Sequence, residues 1–175
     1  MNLSPAMQTF IAHWGAMGDR WGVNRSIAQI HALLYLSDEP LPAESIAEIL
    51  GIARSNVSTA LRELQGYGLV EIIHVQGDRR DFLRAKQDPW DMVLAIVEER
   101  KRREIDPARD MLRDCEAAAT ADGGATPKSV RARLTAMRVL VEQLDDLYGR
   151  MRRIPRPMLR RVVTLGERIA RLVQR

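Results

Sequence analysis

The chain has 175 residues, 46% hydrophobic and 29% charged, which is enough apolar material for one core and a second helical unit. Its one cysteine, Cys115, excludes an intrachain disulfide, and no uninterrupted apolar run reaches the ~20 residues that cross a bilayer. Basic side chains exceed acidic ones by 27 to 23, but residues 150–175 hold nine Arg and one Glu, so the excess describes the end of the chain and not its middle.

The first residues, Met1 to Pro5, lack the basic and apolar regions of a secretory signal, so a cytoplasmic protein is expected. Ser4-Pro5 then reads as a cap followed by a first helical position, and Met7, Phe10, Ile11, Trp14 and Met17 share one face of the helix it starts. Gly15 and Gly18 weaken that pattern. Asn24 caps a second helix with Ile27, Ile30 and Leu34 as its buried stripe, and Ser37-Asp38-Glu39-Pro40 ends it with turn chemistry. A third helix is predicted over residues 42–50, burying Ile46, Ile49 and Leu50, with Gly51 taking the left-handed closing position.

A tight turn through Ile52 and Ala53 leads into a fourth helix, whose Val57, Ala60, Leu61 and Leu64 fall on one inward face. Arg54, Ser55, Asn56, Ser58, Thr59 and Arg62 are left on the other side. A face so small, polar and basic suits a helix lying deep in a DNA major groove, where Arg and Asn bond base edges and Ser and Thr reach phosphates or bases. After Gly66 and Gly68, residues 69–75 have strand composition, 76–79 read as a turn and 81–85 as the return strand. Arg79 and Arg80 lie at the tip of this hairpin, which suits contact with a phosphate backbone or an adjacent minor groove. From Asn24 to Lys86 there are seven basic and eight acidic side chains, so attraction to phosphate must come from where the arginines lie and not from net charge.

The run LPAESIAEILGIARSNVSTALRELQGYGLVEIIHVQGDRRDFL resembles the reading head of MarR-family transcriptional regulators. RWGVNRSIAQIHALLYLS before it, with DPW and ERKRREIDP after it, is similar to the GbsR-like branch in particular. The resemblance implies a homodimer on a two-fold-related operator, with Ser55 to Arg62 in the major groove and the loop around Arg80 as the wing. Asp78-Arg79-Arg80 matches the family's Asp-x-Arg element, which implies that Asp78 orients the wing while Arg80 contacts DNA. Some members of the branch respond to choline or related quaternary ammonium compounds, so a small-molecule effector of that kind is a possible partner.

Asp88-Pro89 begins a long helix with Trp90, Val93, Leu94, Ile96 and Val97 as its apolar part. A charged run from Glu98 to Glu104 reads as a solvated face, Pro107 bends or interrupts the helix, and Ala121 to Gly124 ends the helical stretch beyond that proline. Thr126-Pro127 is expected to cap the next helix. There Val130, Leu134, Met137, Val141, Leu144 and Tyr148 recur at coiled-coil spacing, and Met158, Val162, Leu165, Ile169 and Leu172 repeat the pattern beyond Pro155 and Pro157. Such a seam fits a dimer interface; the competing explanation is packing on the chain's own first and fifth helices, and both could hold at once.

Trp14, Trp21 and Trp90 as an aromatic cage would hold a quaternary ammonium ligand, while on amphipathic helices the same residues serve as core. The three histidines lie far apart outside any metal-ligand motif, no phosphate loop or nucleophile elbow is present, and neither enzymatic activity nor a cofactor or metal is expected. Cys115 reads as a small core residue or as a redox sensor. An Arg-rich amphipathic end also suits an acidic membrane surface, but the stripe lacks aromatic anchors, and no membrane partner is expected.

The predicted architecture is mainly α with a small β-hairpin wing: an N-terminal helix (1–22) joining the dimerisation region, a winged helix-turn-helix (23–87), and a helical linker and dimerisation region (88–175). Its predicted function is sequence-specific binding of double-stranded DNA by a homodimeric transcriptional regulator, a repressor or an activator. The alternative is a winged-helix module that binds protein through the same face without reading DNA.

Overall fold

The computed structural model describes residues 2–155 and Met158. These form α1 (Pro5–Arg20), α2 (Arg25–Tyr35), β1 (Leu41–Pro42), α3 (Ala43–Leu50), α4 (Arg54–Gly66), β2 (Val70–His74), β3 (Asp81–Ala85), α5 (Pro89–Arg100), a π-helical turn (Lys101–Ile105), α6 (Asp106–Ala121) and α7 (Lys128–Arg153). The chain divides into two units, Met1–Ile96 and Val97–Arg175.

In the first unit, Ser4 caps α1 by accepting the Met7 N–H at 3.3 Å, with Pro5 in the first turn. The apolar pattern weakens at Gly15 and Gly18, yet the helix runs on to Arg20. They are where α1 lies against α2: a Cβ on Gly18 would stand 2.5 Å from the Ala28 Cβ, and one on Gly15 would stand 2.6 Å from the Gln29 Cγ. Asn24 caps α2 through the Ser26 N–H at 2.8 Å. Its predicted stripe is only part of what α2 buries, because Ala28, His31, Ala32 and Leu33 are buried too. A helix buried on nearly all sides is the centre of its unit, and α1, α3, α4 and β3 all pack on α2.

Ile46 of α3 is fully buried, and Gly51 closes that helix with φ 64°. That left-handed residue turns the chain so sharply that α4 starts three residues later. Val57, Ala60, Leu61 and Leu64 are all buried, which fixes the rotation of α4 about its axis. Fully burying a Val or Leu is worth roughly 1.5–3 kcal/mol, so turning this helix outward would be strongly opposed.

The predicted two-stranded hairpin is a three-stranded antiparallel sheet in the order β1-β3-β2. Ile72 faces Leu83 and His74 faces Asp81 across the hairpin, while Leu41 and Pro42 pair with Leu83 and Phe82 on its other side. Met92 is the buried residue of α5, whose Val93 and Val97 are exposed. Asp88 starts that helix by accepting the Trp90 N–H at 2.8 Å.

In the second unit the π-turn precedes Pro107, which lies in the first turn of α6. Proline lacks an N–H and its ring crowds the carbonyl four residues back, and a wider turn relieves both. The charged run is more than a solvated face. Lys101 Nζ binds Asp106 at 2.7 Å and Asp145 at 3.1 Å, Arg109 binds Asp145 at 2.9 Å, and the Tyr148 hydroxyl donates to Glu98 at 2.5 Å. Burial, then Glu98, push the Tyr148 phenol up to about 12. Between α6 and α7, Arg138 pairs with Glu116 and Arg113 with Glu142. Thr126 does not cap α7: its N–H and hydroxyl bind the Asp122 carboxylate, and Pro127 occupies the cap without a side-chain bond. Cys115 is half-buried, with its sulfur 3.6 Å from that of Met111.

The apolar residues of α7 fall on two faces. Leu134, Val141 and Tyr148 are half-buried, whereas Val130, Met137 and Leu144 are exposed. With Leu140, Leu147 and Met151, the exposed set continues as Met137, Leu140, Leu144, Leu147 and Met151, spaced three, four, three and four residues apart and 40–53% exposed. Met158 is exposed as well, and Val162, Leu165, Ile169 and Leu172 lie outside the described residues. Among the described residues no helix is long and apolar enough to cross a membrane, and no three His, Cys, Asp or Glu side chains gather as a metal site.

Candidate nucleic-acid interface

With α4 rotated by its buried face, Arg54, Ser55, Asn56, Ser58, Thr59 and Arg62 all lie exposed. Ser58 donates its hydroxyl to the Arg54 carbonyl at 3.1 Å, one turn back, and keeps its oxygen free to accept. Arg62 touches the Thr59 hydroxyl only at 3.5 Å, so its guanidinium is free to turn toward a partner.

The loop between β2 and β3 is shaped by Gly77, with φ 86°, and by the Asp78 N–H donating to the Val75 carbonyl at 3.1 Å. Asp78 then holds Arg80. Oδ1 accepts the Arg80 backbone N–H at 3.0 Å and Nε–H at 3.1 Å, and Oδ2 accepts from Nη2 at 2.6 Å. The Arg80 hydrogen bonds, side chain first and backbone second, draw the Asp78 carboxyl down to about 2. The guanidinium also lies 5.3 Å from the centroid of the Phe82 ring. Arg79 is exposed beside it.

A concavity of about 400 Å³ connects these elements. Arg54, Ser58 and Arg62 line it from α4, Arg80 from the wing, and Glu44 from α3. Sequence reasoning misses Glu44. Its carboxylate pairs with Arg54, ten residues later, and no local pattern announces a bond between different helices. Its own backbone N–H first, then Arg54 and Arg80, lower its pKa.

The three tryptophans have different surroundings. Trp14 is half-buried, stacked on Phe10 at 5.4 Å and 6.2 Å from the His31 ring. Trp21 follows α1 and is 55% exposed, while Trp90 is half-buried in the first turn of α5.

An exposed polar helix after a tight helical turn, flanked by an arginine-tipped hairpin, is geometry that fits a duplex groove. The model described as MarR family matches residues 21–81. Over that segment the chain is similar to the winged helix of the MarR family. A solved structure described as a transcriptional regulator is 25% identical, covers 83% of this chain and 94% of its own, and superposes with a TM-score of 0.65. A variant of MepR from S. aureus bound to an oligodeoxyribonucleotide is 17% identical, over 81% of this chain and 90% of its own, with a TM-score of 0.39. The transcriptional regulator Tm0710 from Thermotoga maritima is also 17% identical, over 85% and 90%, with a TM-score of 0.39. No curated protein matches the chain.

Proposed function

We propose that this chain is a sequence-specific DNA-binding transcriptional regulator of the MarR family, in its GbsR-like branch, acting as a homodimer on an inverted-repeat operator. The observation that carries the reading is the outward, uncovered set Arg54, Ser55, Asn56, Ser58, Thr59 and Arg62, with Arg80 held at the side of the same concavity. The α4 side chains enter the major groove and read base edges there, and the wing arginines engage the backbone and adjacent minor groove. The exposed seam of α7 supports pairing of two copies, and an inverted repeat asks for two reading helices about one DNA turn, ~34 Å, apart.

The test is the salt dependence of binding to duplex selected from a random library. A dimer with six to ten phosphate contacts loses roughly 10³- to 10⁵-fold in affinity between 50 and 200 mM salt. A protein-binding module would select no sequence and show no such slope.

A further inference from the structure

Arg54 opens α4, at the helix end where unpaired backbone N–H groups already concentrate positive charge. A guanidinium there gains from a nearby anion, and Glu44 in the first turn of α3 supplies one by binding Arg54 Nη2. The two side chains are 41% and 70% exposed, so the pair is not part of the core. Both line the concavity that carries Ser58, Arg62 and Arg80. A carboxylate on a surface built for phosphate opposes binding unless it arranges something useful.

We propose that Glu44 is a specificity-determining residue that positions Arg54 for base reading and withholds it from phosphate; this rests on the DNA-binding reading above. Glu44 meets Arg54 at Nη2, so it biases the direction of the guanidinium without the grip on backbone N–H, Nε and Nη2 by which Asp78 shapes the wing around Arg80. Loose, backbone-only binding meets a neutralised arginine beside a negative charge and gains nothing from it. Seated on its operator, α4 brings the oriented guanidinium to a base edge, where a donor already biased in direction loses less freedom on bonding. Glu44 therefore widens the gap between operator and random DNA.

The test compares wild type with Glu44→Gln and Glu44→Ala on the library-selected operator and on random duplex, at several salt concentrations. In both variants random-duplex affinity should rise on the order of three- to tenfold at low salt, with a salt slope steeper by about one contact, while operator affinity stays level or falls. Adding Arg54→Ala to Glu44→Gln should abolish the gain on random duplex. An unchanged ratio of operator to random affinity would overturn the proposal, as would a gain that survives Arg54→Ala. A wild-type protein that selects no sequence would instead remove the DNA-binding reading itself. Thermal melts separate a folding defect from either result, and the neutral isostere and the truncation must agree.

Discussion

Asp78 binds Arg80 at its backbone N–H, at Nε and at Nη2, so one carboxylate fixes both the loop and the direction of the guanidinium. Arg80→Ala should therefore weaken operator and random DNA to a similar extent, as expected for a backbone or groove-width contact. Asp78→Asn should weaken both as well, by loosening the same guanidinium. The double variant should be no worse than Arg80→Ala alone, because the two residues act as one unit. Fluorescence anisotropy with labelled duplexes gives the affinities of wild type and the three variants for both DNAs, and strictly additive losses would show that the residues act separately. With its carboxyl drawn down to about 2, Asp78 stays ionised from pH 5 to 8, so the grip contributes no pH dependence to binding there.

Arg62 lacks such a grip and meets only the Thr59 hydroxyl, at the limit of bonding distance. Its exposed place on the outward face of α4 fits the proposed contact with a base edge. Arg62→Ala should remove sequence preference at one position per half-site, costing on the order of 1–3 kcal/mol there and little on random DNA. Repeating the library selection with the variant shows whether one position has relaxed. Equal losses on operator and random duplex would move Arg62 to the phosphate class.

The outward face of α4 was legible in the sequence because Val57, Ala60, Leu61 and Leu64 mark a helical period, and one buried face dictates the other. Asp78 and Arg80 were legible because their bonds span two residues. Glu44 was not, since its partner lies on another helix and spacing carries no trace of a tertiary ion pair. β1 is two residues long, too short for an alternating pattern, and takes its place only because β3 offers a free edge. Gly15 and Gly18 read as breaks in the apolar pattern, whereas their missing side chains let α1 come close to α2. On α7, a repeat of three and four residues describes either side of the helix, and it does not say that Leu134 and Val141 belong to one side and Leu140 and Leu147 to the other.

His31 is buried in the centre of α2, near the rings of Trp14 and Tyr35, and its Nε2 has no hydrogen-bond partner among the described residues. Burial lowers its pKa from 6.5 to about 4, so the folded chain keeps it neutral. Above pH 6.5 the residue is neutral folded or unfolded and contributes no pH dependence. As pH falls from 6.5 toward 4, the unfolded chain takes up a proton that the folded one refuses, and about 3 kcal/mol of stability is lost. His31→Leu should flatten this part of the stability curve, measured by urea unfolding at stepped pH. An equally steep loss in the variant would assign the acid sensitivity to other groups.

Met137, Leu140, Leu144, Leu147 and Met151 present a continuous apolar row on α7 that the described chain leaves exposed. Rows at this spacing are stable in water when a second helix interleaves with them, and an isolated exposed row of this length promotes association. Leu144 lies at its middle, so Leu144→Glu would put a charge in the centre of the contact, and two copies would bring like charges close together across a symmetric interface. Under the proposed pairing, the variant should sediment as a monomer at concentrations where the wild type sediments as a dimer. Its far-ultraviolet circular dichroism should stay near that of the wild type, because the side chain is exposed in the single chain. Operator affinity should fall steeply, since each monomer engages only one half-site, while weak binding to random duplex persists. A Leu144→Glu protein that remains dimeric would exclude this row from the interface.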